Sequence, residues 1–150
     1  PRWSAPDRLP GMDPIPALLR RTRRIAIVGA SAKPDRPSFG VMRFLLDRGY
    51  DVTPVNPGLA GQAIHGRRVV ATLAEAAPLD MVDVFRRSGE AGAVADEAAR
   101  LGAKAVWMQL GVRDDAAAAR ARAAGLEVVM DACPVIEWRR HGLPEKVDVT

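Results

Sequence analysis

Several kinds of residue and pattern are scarce in this chain, and each scarcity narrows what it can do. A single cysteine among 150 residues excludes an internal disulfide and a metal cluster built on cysteine alone. The only histidines, His65 and His141, lack the spacing of a zinc site, so no metal is expected and both are read as free surface residues. No apolar run approaches the ~20 residues that span a bilayer, so no membrane partner is expected. The opening decapeptide, Pro1 to Pro10, carries prolines and charges where a signal peptide has an apolar stretch. The expected compartment is therefore the cytoplasm. Lysine is scarce too: Lys33, Lys104 and Lys146 stand beside 19 arginines.

What is present suits one compact domain. Hydrophobic residues make up 48% and charged residues 27%, which is enough apolar material for a core. The net charge of +4 is not spread evenly. Residues 1–24 hold six arginines against Asp7 and Asp13, and residues 25–150 are balanced. A broad nucleic-acid face is thus not expected, although a basic arm could touch an anionic surface.

The apolar patterning alternates between short β-branched runs and helical spacing. Residues 1–23 carry five prolines by residue 16 and read as an irregular arm, with one short helix opening at Pro16. Arg24–Gly29 reads as a buried parallel strand, and Ser38 as the cap of a helix ending near Gly49. Tyr50–Val55 reads as a second strand, and His65–Val70 as a turn with a short third. Thr72 with Glu75 is a capping pair. Asp80–Phe85, Lys104–Gln109 and Glu127–Met130 complete the strands, separated by helices over Ser88–Arg100 and Asp114–Ala124. β-rich and helical segments alternating at short spacing predict a single doubly wound, Rossmann-like α/β domain over 24–141, with a parallel sheet flanked by helices and a tail over 142–150.

Ligands of such sheets bind beyond the carboxyl ends of the strands, near the switch in strand order. The sequence places Gly29-Ala30-Ser31-Ala32-Lys33-Pro34, Asn56-Pro57-Gly58, Phe85-Arg86-Arg87-Ser88, Gln109-Leu110-Gly111 and Asp131-Ala132-Cys133-Pro134 at those ends. The first of these reads as a phosphate cradle. Gly29 permits a tight turn, Ala30 a close approach, Ser31 offers a hydroxyl, Lys33 and Arg36 offer charge, and the helix opening near Ser38 offers free amides. The dinucleotide fingerprint G-x-G-x-x-G and the P-loop are both absent. NAD binding also wants an acidic residue at the end of strand two, where Asn56 stands. Trp107 reads as core, Cys133 as a buried inert thiol, and Phe85 as either core or groove. Alternation leaves the placement of Asp83 open, and no general base suggests itself.

Five segments in one order carry a resemblance: IAIVGASAKPDRPSFGVMRFLLDRGY from Ile25, VTPVNPGLAG from Val52, DMVDVFRR from Asp80, AKAVWMQLGV from Ala103 and VVMDACPVIE from Val128. Together they resemble the small bacterial CoA-binding proteins, whose domain is similar to the N-terminal part of the succinyl-CoA synthetase alpha subunit. The resemblance implies a binding site for coenzyme A, free or acylated. The phosphates would meet Gly29, Ala30 and Ser31, helped by Lys33, Arg36 and Ser38. Val55, Asn56 and Pro57 would form the wall against the adenosine part. Phe85 and Arg86 would line the nucleotide, and Met108, Gln109, Leu110 and Gly111 would follow the pantetheine arm. Asp131-Ala132-Cys133-Pro134 is similar to the synthetase's Asn-Cys-Pro-Gly segment, placing Cys133 and Pro134 where the arm ends. Asp131 replaces the asparagine and Val135 the glycine, and the synthetase's phosphohistidine domain has no counterpart here. The expected function is binding of a small nucleotide cofactor without evident catalytic machinery. The alternatives are a nucleotide-dependent enzyme of the NAD reductase type and a polyanion or protein-interaction module using the basic arm. A protein partner or self-association stays open.

Overall fold

The computed structural model describes residues 13–144. The elements in chain order are α1 (Ile15–Arg21), β1 (Arg24–Val28), α2 (Pro37–Asp47), β2 (Asp51–Val55), β3 (Ala63–Ile64) and β4 (Arg67–Arg68). They continue with β5 (Met81–Val84), α3 (Ser88–Arg100), β6 (Ala105–Met108), α4 (Asp115–Ala123), β7 (Glu127–Val129) and α5 (Pro134–Arg140). Five strands form one parallel sheet in the order β2-β1-β5-β6-β7. The order switches between β1 and β5, because the chain winds outward from β1 in one direction and from β5 in the other. This is a single Rossmann-like α/β domain.

Strands buried on both faces explain the near-continuous apolar runs. Ile25, Ile27, Met81, Ala105 and Trp107 face the layer of α1, α2 and α5, where Leu19, Met42, Leu45 and Trp138 pack on them. Ala26, Val82, Val84, Val106 and Met108 face α3 and α4, whose buried positions are mostly alanine. Trp107 is fully buried, and its indole Nε1 donates to the Ala132 carbonyl (2.9 Å). The core extends on both sides of residues 24–141: Leu18 and Leu19 of α1 and Leu143 belong to it. Residues 1–12 of the expected arm and 145–150 of the tail lie outside the described residues.

Local chemistry overrides the sequence expectation at two places. Ser38 does not cap α2. The helix begins at Pro37, whose ring pre-sets the first helical φ, with Arg36 at the cap position. The Ser38 hydroxyl instead accepts a bond from the Ser31 amide (3.1 Å) and ties the loop to the helix. The third strand predicted over His65–Val70 is a small antiparallel hairpin, β3–β4, joined to the sheet edge by one bridge from Val70 to Val55. The tight turn at His65 and Gly66, both at positive φ, folds this short segment back on itself. The capping box of Thr72 and Glu75 is formed as expected.

Candidate functional site

The switch point leaves a cavity of about 950 Å³ beyond the carboxyl ends of β1, β5 and β6. That volume lies at the upper end of the range of small-molecule sites. Gly29 stands at its base with φ +86°. A Cβ there would lie 2.5 Å from the Phe85 carbonyl oxygen and 3.0 Å from Arg86 Cδ, so no side chain fits. The amides of Gly29 and Ala30 donate to the Val55 carbonyl (3.1 and 3.4 Å), which turns the loop away from β1. Asn56 Nδ2 donates to the Ala30 carbonyl (2.8 Å), while its Oδ1 accepts from Gly58 N. Ser31 Oγ accepts from the Lys33 amide (3.1 Å). The loop is thus held from three sides by the protein's own groups.

Positive charge gathers at this end. Lys33 and Arg36 line the cavity, are exposed, and have no ion-pair partner among the described residues. Arg86 also lines it and pairs with Glu90 (3.1 Å). The Arg86 hydrogen bond and charge hold the Glu90 carboxyl below its ordinary value. The N-terminal ends of α2 and α3 both lie at this rim, through Pro37 and Ser38 and through Arg87 and Ser88. Each end adds the partial positive charge of its free amides.

The other end is built from β6 and the loop after β7. Leu110 is an exposed apolar side chain (58%) at the rim, and Val112 and Cys133 line the wall. Gly111 N donates to Asp131 Oδ1 (2.7 Å), so Asp131 braces the loop from outside the cavity. Ser88 Oγ donates to the Gly111 carbonyl and accepts from Arg113 N, joining the two ends. Gln109 is nearly buried, lines the cavity, and donates from Nε2 to Asp83 Oδ1 (2.7 Å). Asp83 is fully buried, and burial pushes its carboxyl up to about 7 against the opposing pull of the Gln109 bond.

Most of the residues singled out from sequence converge on this cavity: Gly29, Ala30, Ser31, Lys33, Arg36 and Ser38 from one loop, then Asn56, Phe85, Arg86, Gln109, Leu110, Gly111 and Cys133. Four do not line it. Val55 is buried behind the loop and serves it through its carbonyl, and Pro57 is exposed at the start of a 3-10 turn. The Met108 side chain belongs to the core on the α3–α4 face, and Pro134 is buried in the first turn of α5. Parallel strands alternate their side chains, so a residue next to a wall residue points elsewhere.

Arg87, Ser88, Gly58 and Ala32 line the cavity from strand-end segments already visible in the sequence. Leu59, Pro37, Val41 and Val112 join them with no local signal, because the tertiary fold brings them there. Cys133 is not buried: it is half-buried, at the cap of α5 and on the cavity wall.

The histidines are not free either. His65 donates from Nε2 to the Phe39 carbonyl (2.8 Å) and packs on the Phe39 ring. His141 lies between Asp13 (3.2 Å) and Glu137 (3.5 Å), at the end of α5 away from Cys133.

A family model described as a CoA binding domain matches residues 23–139. A Bacillus subtilis protein, YneT, is 38% identical over 125 residues, which is 83% of this chain and 91% of that protein. The solved structure of a hypothetical protein from Pyrococcus horikoshii is similar with a TM-score of 0.80 at 35% identity, covering 87% of this chain and 92% of that one. The acetyl-coenzyme A synthetase 1 of Ca. Korarchaeum cryptofilum shares the fold, with a TM-score of 0.63 at 22% identity, over 76% of this chain and 26% of the synthetase. With the matched region spanning nearly every element from β1 through α5, the chain belongs to the CoA-binding domain family.

Proposed function

We propose that the cavity at the switch point holds coenzyme A or an acyl-CoA, phosphates toward β1 and β5 and the thiol arm toward β6 and Cys133. Family membership supports CoA binding in general. The observation that carries the finer reading is the Gly29 turn, which lines the cavity and packs too closely on the Phe85 carbonyl to carry a side chain. Lys33, Arg36, Arg86 and Arg87 surround it, together with two helix N-termini. Multiple phosphates are the natural match for clustered cations and oriented amides. The apolar rim at Leu110 and Val112 then suits the aliphatic part of the arm.

The reading as a binding module rather than a reductase rests on the end of β2. There Asn56 spends both side-chain groups on the backbone of its own site, and no carboxylate is offered to a ribose. The test is to denature freshly purified protein, analyse the released small molecules by mass, and follow the melting temperature of stripped protein with added ligand. Coenzyme A or an acyl form in the extract, with a rise in melting temperature of stripped protein on millimolar coenzyme A, is the expected result. No shift with coenzyme A, acetyl-CoA or dephospho-CoA overturns the reading.

A further inference from the structure

The row of side chains at Ile27, Asp83 and Trp107 crosses three paired strands on the α1–α2–α5 face, and Asp83 is its only ionisable member. One carboxylate oxygen accepts from Gln109 Nε2, and the other, Oδ2, is buried without a hydrogen-bond partner. Such an orphan is costly in a dry sheet unless it does something. An ionised carboxylate only accepts hydrogen bonds. It therefore fixes the Gln109 amide with Nε2 turned inward. Gln109 lines the cavity, and its Oε1 has no hydrogen-bond partner among the described residues.

We propose that Asp83 decides which atom of the Gln109 amide faces the cavity, and so whether this wall accepts or donates a hydrogen bond to the bound arm. With Asp83 ionised, Oε1 faces the cavity and accepts from a secondary amide N–H, the donor a pantetheine arm carries. With Asp83 protonated, its O–H donates to Oε1, the amide turns over, and the cavity meets an NH₂ instead. The amide N–H of the arm then faces a donor, and binding weakens.

The chemistry around Asp83 isolates this switch. The two causes that set its titration are burial and the Gln109 bond, and neither is another charge. The titratable groups in the layer over this face are Tyr50, whose hydroxyl donates to the Leu19 carbonyl, and Cys133 at the cavity edge, while the buried hydroxyls of Thr22 and Ser38 bond the Leu18 carbonyl and the Ser31 amide. Glu137 on α5 is held by Arg140 and His141. On its own strand's flanks, Asp80 accepts from the amides of Arg23 and Arg24, and Arg86 pairs with Glu90. A carboxyl raised to about 7 makes the reversal fall near neutrality. Asp83 acts here only through Gln109, as a positioning residue.

The inference about binding rests on the CoA reading above; the amide reversal does not. The first measurement therefore uses ligand-free protein. The Gln109 side-chain NH₂ signal, followed by NMR between pH 5.5 and 8.5, is expected to shift with a midpoint near 7 in the wild type and to stay flat in Asp83→Asn. A flat wild-type signal overturns the proposal.

The second measurement is calorimetric titration with dephospho-CoA, which avoids the titrating terminal phosphate of coenzyme A. Wild-type affinity is expected to fall about five- to tenfold from pH 8 to pH 6, the size of one neutral hydrogen bond, with protons released on binding near pH 7. Asp83→Asn is expected to lose both the slope and the proton release. Equal slopes in the two proteins overturn the coupling. If Asp83→Asn does not fold, Gln109→Met replaces it, and a slope that survives there overturns the coupling as well. Binding of neither coenzyme A nor dephospho-CoA at any pH removes the CoA reading instead, and the NMR titration still decides the switch.

Discussion

The two ends of the cavity are built by different means. At the β1–β5 end, one loop of ten residues supplies Gly29, Ala30, Ser31, Lys33, Arg36 and Ser38 in sequence, held by bonds within itself and by Val55 and Asn56 at the end of β2. At the β6 end, the wall is assembled from Gln109, Leu110 and Val112 on the loop from β6 to α4 and from Cys133 on the loop from β7 to α5, braced by Asp131 and by Ser88 of α3. The first end offers charge and amides, and the second an exposed leucine and a polarity that depends on a buried partner. On the proposed reading, phosphate would be met locally and by charge, and the arm by a wall that depends on packing.

The sharpest way to break this contrast is Gly29→Val. A Cβ 2.5 Å from a carbonyl oxygen and a β-branched residue at φ +86° are both forbidden, so the change should cost at least about 2–4 kcal/mol and abolish coenzyme A binding. Thermal denaturation and titration measure the two losses, and unchanged melting would mean the turn is not constrained as described.

Asp83→Asn acts next. A folded-state value near 7, above the ordinary 3.8, means the neutral form is the one the fold accommodates. The wild type is therefore most stable below about pH 4 as far as this group is concerned, and loses that stability as pH rises through 7. The variant should melt higher than wild type at pH 8, by an amount on the order of a few kcal/mol, with the gap closing toward pH 4. A gap independent of pH would place the titration elsewhere.

Arg36→Ala and Arg86→Ala probe the charged end. Each removes a charge-assisted contact of roughly 1.5–3 kcal/mol, or about ten- to a hundredfold in affinity for coenzyme A. Arg86→Ala should be the larger, because it also leaves Glu90 at the rim with only the longer contact to Arg87 (3.8 Å). Melting of the free protein should barely move, and binding of pantetheine, which has no phosphate, should be untouched. Equal losses for pantetheine would dissolve the distinction between the ends.

Leu110→Ser gives the smallest effect. Covering a side chain already 58% exposed contributes about 1 kcal/mol, so affinity for coenzyme A should fall severalfold with no change in folding, and more for acyl-CoA if the acyl chain lies there. An unchanged affinity for both would take the arm away from this rim.

The charged end was largely readable from residue order, because its turn, cations and helix start are neighbours along the chain. Gly29 could be recognised as a turn glycine, yet the reason it tolerates no side chain is the Phe85 carbonyl, 56 residues further on. Ser38 misled as a cap because a serine before an apolar helical run is the usual cap signature, while Pro37 had already begun the helix. Met108 and Pro134 fell outside the wall because strand pleat and helix phase, not proximity in sequence, decide where side chains point. Cys133 read as an inert core thiol from composition alone. Its place on the wall follows from the loop that carries the chain from β7 to α5.

Residue order by itself determined the alternation of strands and helices, the gathering of cations after the first strand and the absence of an acidic group at the end of the second, since periodicity and turn chemistry act over a few residues. Only the tertiary structure decided that Asp83 would meet Gln109 across 26 residues and that the five strand ends would close one cavity. Parallel pairing needs long crossovers, so the contacts that give the cavity its floor and polarity join residues no local pattern can connect.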